Sequence, residues 1–265
     1  MRITLLGASG VAGRAFQRAA LAAGHSLVSR RVDILERGAL AALVAGCDAA
    51  VHLATSIPKP GGRGDWAQND RIRREGTANL LAACAGAGTR CVVLQSVAML
   101  HCAADERPQT EDDALEGYGR IASAADMEAL ARAAALDVRV VRGGLFYGPG
   151  SGRPEQWLEE AADPEFRMPG DGSAWCSPVH VDDYAAALVA VLARGAPRAA
   201  YIACDDRPLR LAEIYAWAAA RAGVAPPAAG GPQRLRSFRV SNARLRALGW
   251  RPAHAALESP AALRA

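Results

Sequence analysis

The seven residues Gly7-Ala8-Ser9-Gly10-Val11-Ala12-Gly13 carry the clearest chemical pattern in the chain. They follow a short apolar run, Ile3–Leu6, and open a helical pattern, Val11–Ala23. A loop so placed can hold a pyrophosphate. Gly7 permits the tight turn, Gly10 lets the backbone approach the phosphates, and Gly13 lets helix pack on strand. Ser9 and Val11 belong to the same turn, where the first amides of the helix and its positive dipole end face an anion. The next strand pattern, Ser26–Ser29, runs into Arg30-Arg31. An acidic residue there would hold a ribose 2′-hydroxyl, whereas arginine accommodates a 2′-phosphate. The first carboxylate is Asp33. Arg30, Arg31 and Asp33 are therefore the candidate ribose-end residues, and charge complementarity favours NADP, with NAD as the alternative.

The rest of the pattern supplies a frame for that loop. Leu35–Ala45 reads as a helix and Ala49–Leu53 as a buried strand closing on Ala54-Thr55. A Pro/Gly-rich loop, Ile57–Gly64, precedes a long helix from Trp66 to Ala85. Cys91–Leu94 reads as a strand and Tyr118–Ala135 as a helix, and Val138–Val141 is a strand entering Arg142-Gly143-Gly144. This alternation predicts an α/β fold of Rossmann type, a doubly wound, mostly parallel sheet with helices on both faces. Between Ser29 and Asp33 there is no room for a crossover, which takes about a dozen residues. Either the second or the third strand is vestigial, or Val32–Ile34 only grazes the sheet edge. Beyond Gly150 the pattern weakens, with Pro154, Pro164, Pro169 and Pro178 punctuating short elements. The expected division is residues 1–150 for the dinucleotide-binding domain and 151–265 for a smaller substrate-binding lobe that does not fold independently. Trp157, Phe166, Trp175 and Cys176 are candidate pocket walls in that lobe.

Composition narrows the function classes. The chain has 265 residues and a formal charge of +4, carried almost wholly by arginine because Lys59 is its only lysine. The arginines are scattered, so no stripe or patch for nucleic acid is present. The 6 cysteines form no CxxC pair and no metal-like spacing with the 5 histidines, which predicts reduced thiols and no metal. No apolar run approaches the roughly 20 residues that span a bilayer. A soluble, cytoplasmic protein with a small-molecule substrate is expected.

The chain resembles the extended short-chain dehydrogenase/reductases, a group that includes NAD-dependent epimerase/dehydratase-like enzymes. The resemblance rests on the N-terminal glycines, on Asp48-Ala49-Ala50-Val51-His52-Leu53-Ala54, and on Asn69 followed by Gly76-Thr77-Ala78-Asn79-Leu80-Leu81. It continues through Arg142-Gly143-Gly144-Leu145-Phe146-Tyr147-Gly148-Pro149-Gly150, Val179-His180-Val181-Asp182-Asp183, Ser241-Asn242 and Leu248-Gly249-Trp250. It implies that Leu53, Ala54, Thr55 and Tyr147 join the cofactor site and that homodimers form through two long helices. It further implies catalytic roles for Ser96, which would hydrogen-bond the substrate oxygen, and for Tyr118, which begins Tyr118-Gly119-Arg120-Ile121-Ala122.

Position 122 departs from that resemblance, which implies a lysine there, one helical turn beyond the tyrosine, binding the nicotinamide ribose and stabilising tyrosinate. Without a cation nearby, a phenol stays near its ordinary pKa of about 10 and is a poor base at neutral pH. Reduction is therefore expected to be favoured over oxidation. Lys59 and His101 are the alternative groups with reach to the cleft, while His180, Asp182 and Asp183 read as a tether for the lobe and a cap for the helix Tyr184–Leu192. The leading expectation is NADPH-dependent reduction of a small-molecule carbonyl or similarly polarised substrate. The alternatives are a redox-neutral epimerase, dehydratase or isomerase with bound nicotinamide, and a non-catalytic NAD(P)-sensing module.

Overall fold

The computed structural model describes residues 1–58, 64–102, 106–233, 235–255 and 257. In chain order its first half comprises β1 (Arg2–Leu6), α1 (Val11–Ala22), β2 (Ser26–Val28), α2 (Arg37–Val44), β3 (Ala49–His52), α3 (Trp66–Arg71), α4 (Thr77–Ala87), β4 (Cys91–Val97), α5 (Ala122–Ala133) and β5 (Val138–Gly143). The second half adds β6 (Leu145–Tyr147), α6 (Glu155–Ala162), β7 (Met168–Pro169), β8 (Trp175–Cys176), β9 (Pro178–His180) and α7 (Val181–Arg194). It ends with β10 (Ala200–Ala203), β11 (Leu209–Arg210), α8 (Leu211–Ala222), β12 (Ala229–Gly231) and α9 (Ala243–Ala247).

Six strands pair in parallel in the order β10-β5-β4-β3-β1-β2. Successive side chains on a strand point to opposite faces, and both faces here are apolar. Ile3, Leu5, Val51 and Val93 meet Phe16 of α1 and Leu188 of α7. Leu6, Ala50, Val92 and Leu94 meet Leu40 of α2, Leu80 of α4 and Met127 of α5. The result is a Rossmann-type doubly wound sandwich. Strand order reverses between β1 and β3, so the ligand crevice opens beyond their carboxyl ends.

The missing crossover has a simple outcome. Val32–Ile34 forms no strand, β2 is a three-residue edge strand, and α2 leads directly to β3. The linker is held by Asn79, whose Nδ2 donates to the carbonyl of Leu35 (3.2 Å) while its Oδ1 accepts from Arg37 (2.8 Å).

The sheet does not respect a boundary at residue 150. Helix α7 packs on α1, and β10 pairs with β5 to finish the sheet. An unpaired β5 edge would leave a row of backbone groups unsatisfied, which β10 supplies from the far half of the chain. The lobe itself gathers Trp157, Met168, Ile214, Tyr215 and Phe238 into a cluster of its own, joined to the sheet by Ala98 and Ile202. No helix among the described residues is long and apolar enough to cross a membrane.

Candidate active site

The glycine loop is tight at two of its three glycines and open at the third. Gly7 has φ +85°, and a Cβ there would lie 2.5 Å from the backbone of Leu53 and Ala54. A Cβ on Gly13 would lie 2.1 Å from the carbonyl oxygen of Gly7. Gly10 differs, because its Cβ would meet only that same oxygen, at 3.3 Å. Two glycines thus close the loop on β1 and β3, and the third keeps an open face. Gly10 is also the N-cap of α1, and no side chain caps that end. The free amides and the cradle that a Cβ would fill suit the pyrophosphate of a nicotinamide dinucleotide.

Other cofactor candidates border this loop to different degrees. Ser9 is exposed and Val11 half-buried; Leu53 is buried, Ala54 half-buried and Thr55 exposed, where β3 leaves the sheet. Arg30 and Arg31 are both exposed beyond β2, and Asp33 accepts from the backbone N–H of Leu35 (3.0 Å). Tyr147 is turned toward the lobe: its hydroxyl donates to Asp205 Oδ2 (3.0 Å), with the carbonyl of His254 3.3 Å away. Lys59 lies outside the described residues.

Ser96 is the penultimate residue of β4 and is buried. Its hydroxyl donates to Glu128 Oε1 at 2.6 Å, so its proton is committed within the protein. Glu128 in turn receives a bidentate pair from Arg142, with Nη2 at 2.7 Å from Oε2 and Nε at 3.0 Å from Oε1. Arg142 Nη1 also reaches His101 Nε2 at 3.1 Å. Arginine can only donate, so Nε2 accepts and Nδ1 carries the His101 proton. That Nδ1 is buried without a partner. Burial, then the neighbouring Arg142 charge, brings His101 down to about 4.

Sequence reasoning did not foresee this ion pair, although a signal exists. Ala124, Met127, Glu128 and Ala131 share the buried face of α5. A carboxylate at the i+4 position of an apolar stripe needs a buried partner.

Tyr118 stands outside the helix expected to contain it. Its backbone is extended (φ −135°, ψ 148°), Gly119 follows at φ +45°, and the α-helix begins only at Ala122. Left-handed backbone at Gly119 breaks the helical register, so Tyr118 and position 122 do not share a helix face. The half-buried Tyr118 ring packs beside Leu100, Leu115 and Ile121. Its hydroxyl accepts from the backbone N–H of Arg236 (3.3 Å), whose guanidinium lies 4.5 Å above the ring. Burial pushes the phenol above its ordinary range. At neutral pH Tyr118 is a protonated phenol and no base.

His180 caps α7, its Nδ1 accepting from the Asp182 N–H (3.2 Å), and its ring stacks on His254 at 3.7 Å. Asp183 accepts from the N–H groups of Ala253 and His254, both at 3.0 Å, while its carbonyl takes the Trp250 indole N–H (3.0 Å). These contacts clasp residues 250–254 onto α7. Asp182, His180 and His254 gather within 4.8 Å, yet the two rings lie nearly parallel at 17°. Their in-plane lone pairs therefore do not converge on one point.

Burial also sets an acid limit. His52, at the end of β3, is brought down to about 4 by burial and then by the Arg73 charge. Both His52 and His101 are lowered in the fold relative to about 6.5 in the unfolded chain. Below pH 6.5 the unfolded chain therefore takes up protons that the folded chain refuses. Stability is complete above pH 6.5 and falls as pH drops toward 4, by up to about 3 kcal/mol for each histidine. Thermal melts from pH 7 to 4.5 should show this slope, and His101→Gln should reduce it. A flat profile would rule the assignment out.

A family model described as the NAD dependent epimerase/dehydratase family matches residues 3–203. Among curated proteins, the 3-diazoavenalumate denitrifying reductase of a Streptomyces species is 30% identical, covering 96% of this chain and 97% of its own length. The dTDP-glucose 4,6-dehydratase of Streptomyces venezuelae, solved with NAD, superposes with a TM-score of 0.84 at 23% identity, over 97% of this chain and 93% of that one. The RMD protein of Pseudomonas aeruginosa, solved with NADPH, gives 0.78 at 26% identity, over 97% and 96%. This chain therefore belongs to the NAD dependent epimerase/dehydratase family and, with it, to the nicotinamide-dependent enzymes.

Proposed function

We propose that the protein is an NADPH-dependent reductase of a polarised small molecule, and that its acceptor completes the reaction by losing a leaving group. One observation carries this reading: the glycine loop leaves an open cradle suited to a dinucleotide, while neither Ser96 nor Tyr118 can take up a proton. Ser96 donates its hydrogen bond to Glu128, Tyr118 stays protonated, and position 122 is alanine. Alcohol oxidation needs a base, and these residues offer none. The exposed Arg30 and Arg31 favour the 2′-phosphate of NADPH.

The nicotinamide supplies a hydride when bound. A diazonium carbon that accepts a hydride forms its C–H bond as the C–N bond breaks, and the pair of that bond leaves with dinitrogen. Charge and atoms balance with no proton added or removed. The name of the Streptomyces relative, a denitrifying reductase of a diazo compound, supports this substrate class. The chain's own task is then to exclude water and orient the acceptor beyond the carboxyl end of β4.

The test uses NADPH deuterated at the transferring position, with aryl diazonium salts and a panel of ketones and aldehydes. Deuterium should appear in the arene with release of dinitrogen, and Tyr118→Phe should keep the rate within about threefold. A general acid would make that loss on the order of a hundredfold or more. Turnover of carbonyls alone, with a collapse in Tyr118→Phe, would replace this reading with an ordinary carbonyl reductase.

A further inference from the structure

Arg73 is the anomaly of the site. It lies in a π-helical turn, Ile72–Gly76, between α3 and α4. Such turns insert a residue and redirect side chains, often at functional sites. The arginines on either side are solvated and paired: Arg71 with Glu75 (3.1 Å), and Arg74 with Asp126 (2.7 Å). Arg73 is instead turned inward and only 5% exposed. Among the described residues its one side-chain hydrogen bond runs from Nη1 to the hydroxyl of Ser123 at 3.3 Å, and no carboxylate lies within 4.0 Å of it. The two acids nearest in sequence are turned to other arginines, Glu75 to Arg71 and Asp70 to Arg74 at 3.8 Å. A guanidinium carries five donors and remains charged, so burial against a single neutral hydroxyl is costly unless a ligand completes the set.

Its place identifies the ligand. Ser123 adjoins Ala122 at the start of α5, where no cation stands. The guanidinium charge is felt by His52 at the carboxyl end of β3. His52 Nδ1 accepts from the N–H of Ala54 (3.2 Å), and the Leu53–Ala54 backbone is the surface against which Gly7 closes. Arg73 thus stands behind the strand end that borders the glycine loop. Its packing is pinned by Gly76, where a Cβ would come within 2.7 Å of Ile34. We propose that Arg73 is a cofactor-binding residue, its guanidinium donating to sugar–phosphate oxygens of the bound dinucleotide from the α4 side of the crevice. This rests on the NADPH reading above, and assigns the cation of the site to the π-turn before α4 rather than to α5.

The test is a fluorescence titration with NADPH, paired with melting curves of the cofactor-free protein. Arg73→Met should weaken NADPH at least about tenfold, the scale of losing a charge-assisted hydrogen bond, while Arg73→Lys stays within about threefold. Because a buried charge without a carboxylate is removed, the cofactor-free melting temperature of Arg73→Met should hold or rise. Adding Ala122→Lys to Arg73→Met should recover binding, since it returns a cation to the neighbouring position. The proposal is overturned if Arg73→Met binds NADPH as tightly as the parent, or if Arg73→Met and Arg73→Lys both fail to fold. It is also overturned if only the substrate KM moves, because Arg73 then meets the substrate. If the parent protein binds neither NADPH nor NADH, the dinucleotide reading itself falls, a result distinct from failure of Arg73 alone.

Discussion

Gly13→Ala is expected to cost at least about a hundredfold in NADPH affinity (~2.7 kcal/mol) and to lower the melting temperature, whereas Gly10→Ala should lose affinity with the fold intact. The two positions differ in what an added methyl meets. At Gly13 it would lie 2.1 Å from Gly7 O and 2.8 Å from Ala8 Cα, both backbone atoms of the loop it must pack on. No rotamer relieves that clash. Helix α1 must move off the loop, and it carries Phe16 and Ala20, both fully buried, so the shift reaches the core. At Gly10 the methyl meets one oxygen at 3.3 Å and otherwise faces the crevice. It obstructs the phosphates without straining the free protein. Calorimetry on both variants with and without NADPH separates the two effects. Equal cofactor affinity in Gly10→Ala and the parent would mean that the phosphates bind elsewhere.

Glu128→Ala should lower the unfolding free energy by about 3–5 kcal/mol. Glu128 and Arg142 are 1% and 4% exposed, and the carboxylate accepts from both the guanidinium and Ser96. Removing it leaves a buried guanidinium with His101 Nε2 and a distant carbonyl as its remaining partners. The cost is that of an uncompensated charge, which differs from the net worth of the pair. For the same reason, Glu128→Leu combined with Arg142→Met should recover at least half of the loss, since an apolar pair of similar volume carries no desolvation penalty. Glu75→Ala, which breaks the exposed pair with Arg71, serves as the control and should change stability by less than about 0.5 kcal/mol. Urea midpoints measured at pH 7.5 decide the matter. A loss below about 1 kcal/mol for Glu128→Ala would show that water reaches the pair and screens it.

These two sites also divide what is readable from sequence. The glycine spacing, the strand–turn–helix context and the β/α alternation are local properties. Gly7, Gly10 and Gly13 lie within seven residues, and the close approaches at Gly7 and Gly13 arise inside that turn or against the end of the neighbouring strand β3. Binary patterning then fixes which strand faces are apolar, so the three-layer architecture follows. Even the shortened β2 region is legible, because a crossover helix cannot fit in the three residues between Ser29 and Asp33.

Tertiary structure decided everything that depends on contacts between distant segments. Ser96 meets Glu128 across 32 residues, and Tyr118 meets Arg236 across 118. No spacing rule reports such distances. The sequence places Tyr118 four residues before Ala122, but the left-handed Gly119 removes both from a common helix face. Arg73 looks from its neighbours like one more solvated arginine, and only the π-turn directs it inward. Likewise a boundary at residue 150 suits composition, yet the open edge of β5 draws β10 back from the second half of the chain. Local sequence determines where a chain turns and which side is apolar. Whether a hydroxyl or a charge is free to act depends on what the fold places opposite it, because hydrogen bonds and desolvation act over a few ångströms of space, irrespective of separation along the chain.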